Sequence, residues 1–280
     1  MRAAAVPLPV PGRVAGREGL PAVALLLPAS VRQQVVAFYR FAIAADDVAD
    51  APDLSAEEKL IRLDRLEQGL AGGAEADPAA LELRRAVAAD SLLLDHAGQL
   101  LQAFRRDAVC DHCRDWADLM TYCRFSAAPA GRFLLDVHGE PAEAFAAGDA
   151  LCTALQVLNL IQDCGRDFRA LGRVYLPRDW LYRAGVPAGA FADDHAPAGL
   201  RLVIDEVLDG VDGLLELARP LPVLLRSRRL RFEAAAVLAL ADRLSQRLRA
   251  ADPLATDVRP SAGDVLHALI AGLLGSFVRA

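Results

Sequence analysis

Apolar positions recur every three or four residues along most of this chain, and no stretch alternates convincingly with period two. That pattern predicts helices nearly throughout. Ser30 can cap a helix running to about Asp50, which Ala51-Pro52 must end because the residue before a proline avoids the α region. Ser55-Ala56-Glu57-Glu58 starts a second helix that stops near Gly72-Gly73, and Pro78 opens a third running toward Asp90 and on to Phe104. Residues 115–138 read as one helix kinked at Pro129. After the turn His138-Gly139-Glu140-Pro141 comes a helix over about 143–170, ended by Gly172; Tyr175-Leu176-Pro177 then leads into a short helix at 178–183. Gly185 to Gly199 reads as a loop, and helices near 200–218, 222–250 and 261–278 complete the chain, the last packed on the core.

Two of these apolar helices are interrupted by acids. Asp46-Asp47-Val48-Ala49-Asp50 closes the run Phe41-Ala42-Ile43-Ala44-Ala45, and Asn159, Asp163 and Asp167 follow Leu151–Leu158. Residues four apart share a helix face, so Asp46/Asp50 and Asp163/Asp167 each present two carboxylates in one direction. Gln156, Asn159, Asp163 and Asp167 form one polar line on a helix otherwise made of Leu, Val, Ile and Cys, the pattern of a core helix lining a polar cavity. Asp46, Asp47 and Asp50 also fall in the last turns of their helix, where the backbone dipole makes each acid unfavourable by roughly 0.3–1 kcal/mol. Buried carboxylates need a cation or a proton, and two such pairs facing one another across a bundle would form a shared metal site. The same spacing at Asp107/Asp111, Asp111/Asp115 and Asp205/Asp209 occurs among other charges and reads as solvated surface.

With 280 residues and 54% hydrophobic content the chain can bury a large core, and its Ala-, Leu- and Arg-rich composition favours an all-α protein. Residues 1–20 read as a flexible lead-in and 21–280 as a single domain. A net charge of −6 with no basic stripe argues against nucleic acid. An acidic chain can still bind a diphosphate if metal ions bridge the like charges. Five cysteines in a chain this long form no disulfide framework and fit a reducing cytoplasm. Cys110-Asp111-His112-Cys113 lacks the second Cys/His pair of a structural zinc site and reads as reduced thiols on a helix. No uninterrupted apolar run reaches the roughly 18 residues of a membrane span; the expectation is a cytoplasmic chain, with peripheral contact at the inner face of a membrane as the lesser alternative.

The segments Phe38-Tyr39-Arg40-Phe41 through Asp50, Asn159 through Phe168 and Gly172-Arg173-Val174-Tyr175-Leu176-Pro177, with Tyr122–Arg132, resemble the squalene/phytoene synthase family of head-to-head prenyl synthases. The resemblance covers about residues 20–250. It implies an isoprenoid-synthase-type helical bundle around a central cavity. It also implies Mg²⁺ held by Asp46, Asp50, Asn159, Asp163 and Asp167, with those aspartates and Tyr122 catalytic. Arg40, Arg166 and Arg173 could fork onto the phosphates, Gln156 belongs to the same polar line, and Phe38, Phe41, Phe125, Phe168 and Tyr175 could offer ring faces to a carbocation. The implied reaction is ionisation of presqualene diphosphate, rearrangement of the cyclopropylcarbinyl cation and capture by water, giving hydroxysqualene on the route to hopanoids. The alternatives are a synthase making presqualene diphosphate or phytoene from allylic diphosphates, or a weakly active homologue partnering neighbouring enzymes of the squalene pathway. Ile43 stands where the family has an arginine, and Gly19–Ala24 where it offers small polar residues.

Overall fold

Capping chemistry sets most helix boundaries. The computed structural model describes residues 29–73 and 77–276; the lead-in at 1–20, the Gly19–Ala24 segment and the side chain of Ser30 lie outside the described residues. Through these run α1 (Ala29–Asp50), α2 (Ala56–Ala71), α3 (Pro78–Ala86), α4 (Ser91–Val109), α5 (Trp116–Ser126) and α6 (Ala128–Val137). Next in the chain come α7 (Phe145–Leu171), α8 (Arg178–Arg183), α9 (Ala198–Ala218), α10 (Leu221–Leu224), α11 (Arg228–Ala250) and α12 (Ala262–Gly275). Among the described residues there is no strand; a lone parallel bridge joins His112 and Val174. Ser55 and Glu58 form a reciprocal capping box on α2, and Gly72 closes that helix with a left-handed φ of 87°.

Three expected helices are interrupted. The helix opened by Pro78 does not continue to Phe104: α3 stops at Ala86, and Asp90 starts α4 by accepting from the Leu92 and Leu93 N–H groups. The join is a Schellman turn, with Ala89 N donating to Arg84 O (2.9 Å) and Ala88 N to Arg85 O (3.1 Å). It is made without glycine, by Ala88 and Ala89 at φ 52° and 59°, so nothing in the composition marks it. The helix expected over 115–138 is α5 and α6, fully broken at Ala127 because Pro129 supplies no N–H and its ring blocks the preceding carbonyl. The helix expected from 222 restarts at Arg228, where the Ser227 hydroxyl accepts from Leu230 N. The loop over 185–199 contains a 3₁₀ turn, Ala188–Ala192, that buries Phe191.

The described chain divides into two compact units. One takes the chain up to Cys110 together with Arg124–Glu140; the other takes Asp111–Cys123 and the chain from Pro141 on. In the first unit, Phe38, Phe41, Ala45 and Ala49 form the buried stripe of α1 and share a core with Leu63 and Leu66 of α2, Leu83 of α3, Leu100 and Leu101 of α4 and Phe133 of α6. Each of the leucine and phenylalanine side chains, fully buried, contributes about 1.5–3 kcal/mol.

In the second unit α7 is the central helix, packed on α9 and α11. With its leading turn, Ala142–Leu171 is long and apolar enough to cross a membrane by composition (mean hydropathy 1.5), but 72% of that window is buried inside the protein, as in a core helix. Gly165 allows close packing there: a Cβ would stand 2.7 Å from Leu254 Cδ2 and push that side chain aside. The 252–258 turn that carries Leu254 is held by Gln162 Nε2 donating to Val258 O (2.5 Å) and by Ala196 N donating to Asp252 (2.8 Å). Helix α12 meets α11 through small residues, since a Cβ on Gly272 would lie 2.8 Å from Phe232. Its larger residues, Leu266, Leu273 and Leu274, are therefore exposed rather than packed on the core as the sequence suggests.

Ala88→Gly should raise the unfolding free energy by about 0.5–1 kcal/mol, because glycine adopts the left-handed turn without a Cβ penalty. Urea denaturation followed by circular dichroism measures this; a less stable variant would mean that the turn does not hold that conformation.

Candidate active site

The two acid-bearing helix segments lie one in each unit. At the end of α1, Asp46 and Asp50 are half-buried while Asp47 between them is exposed. Helical spacing explains the split: 46 and 50 stand beside the buried Ala45/Ala49 stripe, whereas 47 turns away from it. No basic residue occupies this last turn, so the dipole penalty on the acids goes uncompensated within the helix.

On α7 the polar line holds its register. Gln156 is buried, Asn159 and Asp163 are half-buried and Asp167 is buried with 9% of its surface exposed. The Gln156 side-chain oxygen is enclosed and accepts no hydrogen bond, an arrangement that costs about 1–3 kcal/mol unless a ligand or metal-bound group supplies the donor. Asp163 is 13% exposed and forms an ion pair with Arg166, one turn on. Burial pushes the Cys164 thiol up to about 12, and the carboxylates of Asp167, Asp163 and Asp252 add to the rise. The interior side of α7 thus carries concentrated negative charge. By contrast, Asp111 and Asp209 have side chains 73% and 75% exposed, as the solvated reading of their spacing requires.

Gly172 ends α7 in the left-handed region (φ 70°) and sends the chain toward α8. There Val174 N donates to Asp111 O (2.7 Å), and Cys113 N donates to Val174 O (3.3 Å). Cys110 and Cys113 consequently lie in this extended connection rather than on a helix; none of the five cysteines forms a disulfide. The tethered segment buries Arg173 and sets the Tyr175 ring 5.0 Å from that of the buried Tyr122 on α5. Two electron-rich faces are brought together by residues 53 positions apart (175 minus 122).

The remaining residues singled out from sequence have varied surroundings. Phe38 stacks on Phe133 with centroids 4.1 Å apart, and Phe41 is wholly enclosed in the same core. Arg40 is exposed and pairs with Glu82 at 2.5 Å. Phe125 is half-buried beneath the Arg124 guanidinium, 6.0 Å from its ring centre. Phe168 turns to Phe191, 5.9 Å away. Sequence reasoning passed over Arg259, whose guanidinium is held above its usual range by Asp257 (2.7 Å), with Asp163 contributing. Nothing in the spacing signals that electrostatic influence, because 96 residues separate the two (259 minus 163).

The α7 donor set suits a hard divalent cation: carboxylate and amide oxygens in helical register, with an unsatisfied carbonyl oxygen one turn away. Asn159, Asp163 and Asp167 are the residues of this unit that could hold such an ion.

Comparison with known proteins covers nearly the whole chain. A sequence model of the squalene/phytoene synthase family matches residues 15–263. The hydroxysqualene synthase of Rhodopseudomonas palustris is 38% identical over 268 residues, covering 96% of this chain and 92% of that protein. The hydroxysqualene synthase of Zymomonas mobilis is 37% identical, covering 89% of this chain and 84% of that one. The crystal structure of a squalene synthase from Alicyclobacillus acidocaldarius superposes with a TM-score of 0.66 at 32% identity, covering 81% of this chain and 86% of the other. The all-α architecture is that of the isoprenoid synthases.

Cys164 should resist iodoacetamide in the native protein near pH 8, since a thiol with a pKa about four units higher is almost entirely protonated. Peptide mass spectrometry should find it labelled only after unfolding in urea; rapid native labelling would show that it does not experience this environment.

Proposed function

Because the chain belongs to the squalene/phytoene synthase family, we propose that it converts presqualene diphosphate and water to hydroxysqualene and diphosphate. The observation that carries this reading is the buried line of oxygen donors on α7, in a chain that matches hydroxysqualene synthases over nearly its full length. The chain is a prenyl diphosphate-processing enzyme, and members of its family use a divalent metal to bind diphosphate. We assign that metal as Mg²⁺, and its ligands as Asp46, Asp50, Asn159, Asp163 and Asp167. When bound, Mg²⁺ supplies positive charge to the departing diphosphate.

The side chains divide the remaining work. Asp163 and Asp167 place carboxylate oxygens in a mostly apolar setting, where a cation satisfies them better than sparse water does. Arg173 presents a forked donor to phosphate oxygens, and Arg259 and Arg166 offset the charge of Asp163 until substrate arrives. Gln156 would accept a hydrogen bond from a donor group in the occupied site through its unsatisfied carbonyl oxygen. The carbon–oxygen bond to diphosphate breaks with both electrons leaving on oxygen, and the cyclopropylcarbinyl cation rearranges against the paired faces of Tyr122 and Tyr175. A water oxygen then bonds to the cationic carbon and loses its proton to solvent or to the released diphosphate. Phe38 and Phe41 act as the packed wall behind α1 rather than as contacts to substrate, and Arg40 stays with Glu82. The same reading takes neighbouring pathway enzymes and a peripheral membrane surface as partners, through which greasy substrate and product pass.

Asp46→Asn and Asp163→Asn should each reduce turnover of presqualene diphosphate by about 10³-fold or more, the scale set by loss of electrostatic stabilisation at a leaving group. Asp209→Asn, which changes an exposed acid paired with Arg249, should leave turnover within about twofold. Equal damage from Asp209→Asn would show that the wrong acids have been chosen. Incubation with Mg²⁺ and presqualene diphosphate should yield the alcohol. Product from farnesyl diphosphate alone would establish a condensing synthase instead, and silence with both substrates a partner role.

A further inference from the structure

Just past the acid line, Phe168 leaves the diphosphate chemistry and helps to enclose a second space. A cavity of about 310 Å³ opens beside α8, within the unit that contains α7. Its wall is apolar, formed by Phe168 with its neighbour Phe191 and by Leu181 and Val186. Its mouth is polar and is built from Asp111, His112 and Arg178. None of these three takes part in the reaction above.

The mouth is an ordered chain of hydrogen bonds. His112 Nδ1 lies 2.7 Å from Asp111 Oδ1, and His112 Nε2 lies 3.3 Å from Arg178 Nη1. A guanidinium can only donate, so Nε2 is the accepting nitrogen and Nδ1 carries the proton given to Asp111. Asp111 orients the ring, and the ring orients the arginine. The main chain is fixed as well: Arg178 N donates to Cys113 O and Asp179 N to Arg114 O, both at 3.0 Å. One guanidinium N–H is used on the imidazole, leaving four of its five donors for a ligand. Cys110, Asp111 and His112 bring candidate ligand atoms within 4.8 Å of one another. An ion there would take the His112 nitrogen that now faces Asp111 or the one that faces Arg178, and would stand beside the guanidinium charge. The arrangement as it stands therefore favours an anion.

Arg178 is exposed at the rim of this apolar cavity, with the Asp111 carboxylate on the far side of His112, so an anionic head can reach the guanidinium from the side away from Asp111. We propose that this cavity binds a small amphiphile with one anionic head, carboxylate or phosphate, held by Arg178, with its hydrocarbon body against Phe168 and Phe191. At roughly 30 Å³ per heavy group the space takes about ten such groups, so the body is far shorter than a triterpene chain. The site is separate from the one that binds prenyl diphosphate through Mg²⁺, and it stands whether or not that assignment holds.

Isothermal titration of the full chain in EDTA, which removes metal-dependent diphosphate binding, tests the idea with octyl phosphate, octanoate and the neutral control octanol. At least one anion should bind about tenfold or more tightly than octanol, the size of one charge-assisted contact, and Arg178→Gln should abolish that preference. The tighter of the two anions identifies the head group. Equal affinity for octanol and both anions, anion binding untouched by Arg178→Gln, or no binding by any probe would overturn the proposal. Should Arg178→Gln fail to fold by circular dichroism, a diazirine analogue of the bound anion decides the matter in the unaltered protein. Cross-links within residues 168–191 support the site, and cross-links confined elsewhere refute it.

Discussion

Withdrawing carboxylates from water along the polar line of α7 is the constraint on which the proposed chemistry depends. Asp167 is buried and Asp163 nearly so, and a carboxylate taken out of water costs several kcal/mol unless neighbouring charges or hydrogen bonds answer it. Arg166 answers part of that demand at Asp163 from the next turn, and Arg259 adds a more distant positive charge. The Cys164 thiol, driven up to about 12 by burial and by these same acids, records the local field. In the proposed reading this field favours divalent cations and, through them, an anionic diphosphate that the net charge of −6 would otherwise repel.

Maintaining the field requires a rigid helix, and the surrounding packing provides it. Gly165 lets Leu254 approach to where a Cβ would stand, and the turn carrying Leu254 is tied to α7 through Gln162 and to the 196 loop through Asp252. Gly172 then releases the chain at a fixed point, and the backbone bonds of Val174 and Arg178 to the 111–113 segment anchor the connection and the start of α8. The result is that Tyr175 meets Tyr122, while Phe168 and Arg178 line a different cavity. One short connection therefore serves two spaces: Val174 lines that cavity while its successor Tyr175 turns to Tyr122.

Helix α12 shows small residues deciding an outcome that hydrophobicity alone does not. Its apolar content suggests burial, yet glycine at 272 allows such close approach to Phe232 that the backbone itself makes the contact. The leucines on the other sides are left at the surface. A hydrophobic pattern reports how much apolar surface a helix carries, whereas the size of the residues at the contact determines which face is covered.

Much of the protein was legible from the chain. Period-3.6 patterning and caps such as Ser55/Glu58 and Gly172 gave the helices, because they act through bonds between near neighbours. The register of Gln156, Asn159, Asp163 and Asp167 was legible for the same reason: helical spacing alone puts them in line. The break at Ala88 was not, since alanine takes the left-handed turn only where the surrounding packing forces it. Arg40 gave no sign that it would turn out to Glu82, nor Phe38 that it would stack on Phe133. The partnership of Tyr122 with Tyr175, the charge of Arg259 near Asp163 and the chain Asp111–His112–Arg178 depend on segments distant in sequence. Local sequence determined which residues share a helical face. Which of those faces meets another, and which side chains are withdrawn from water, only the tertiary structure decided, because burial and long-range contact arise from the packing of elements and not from any one of them.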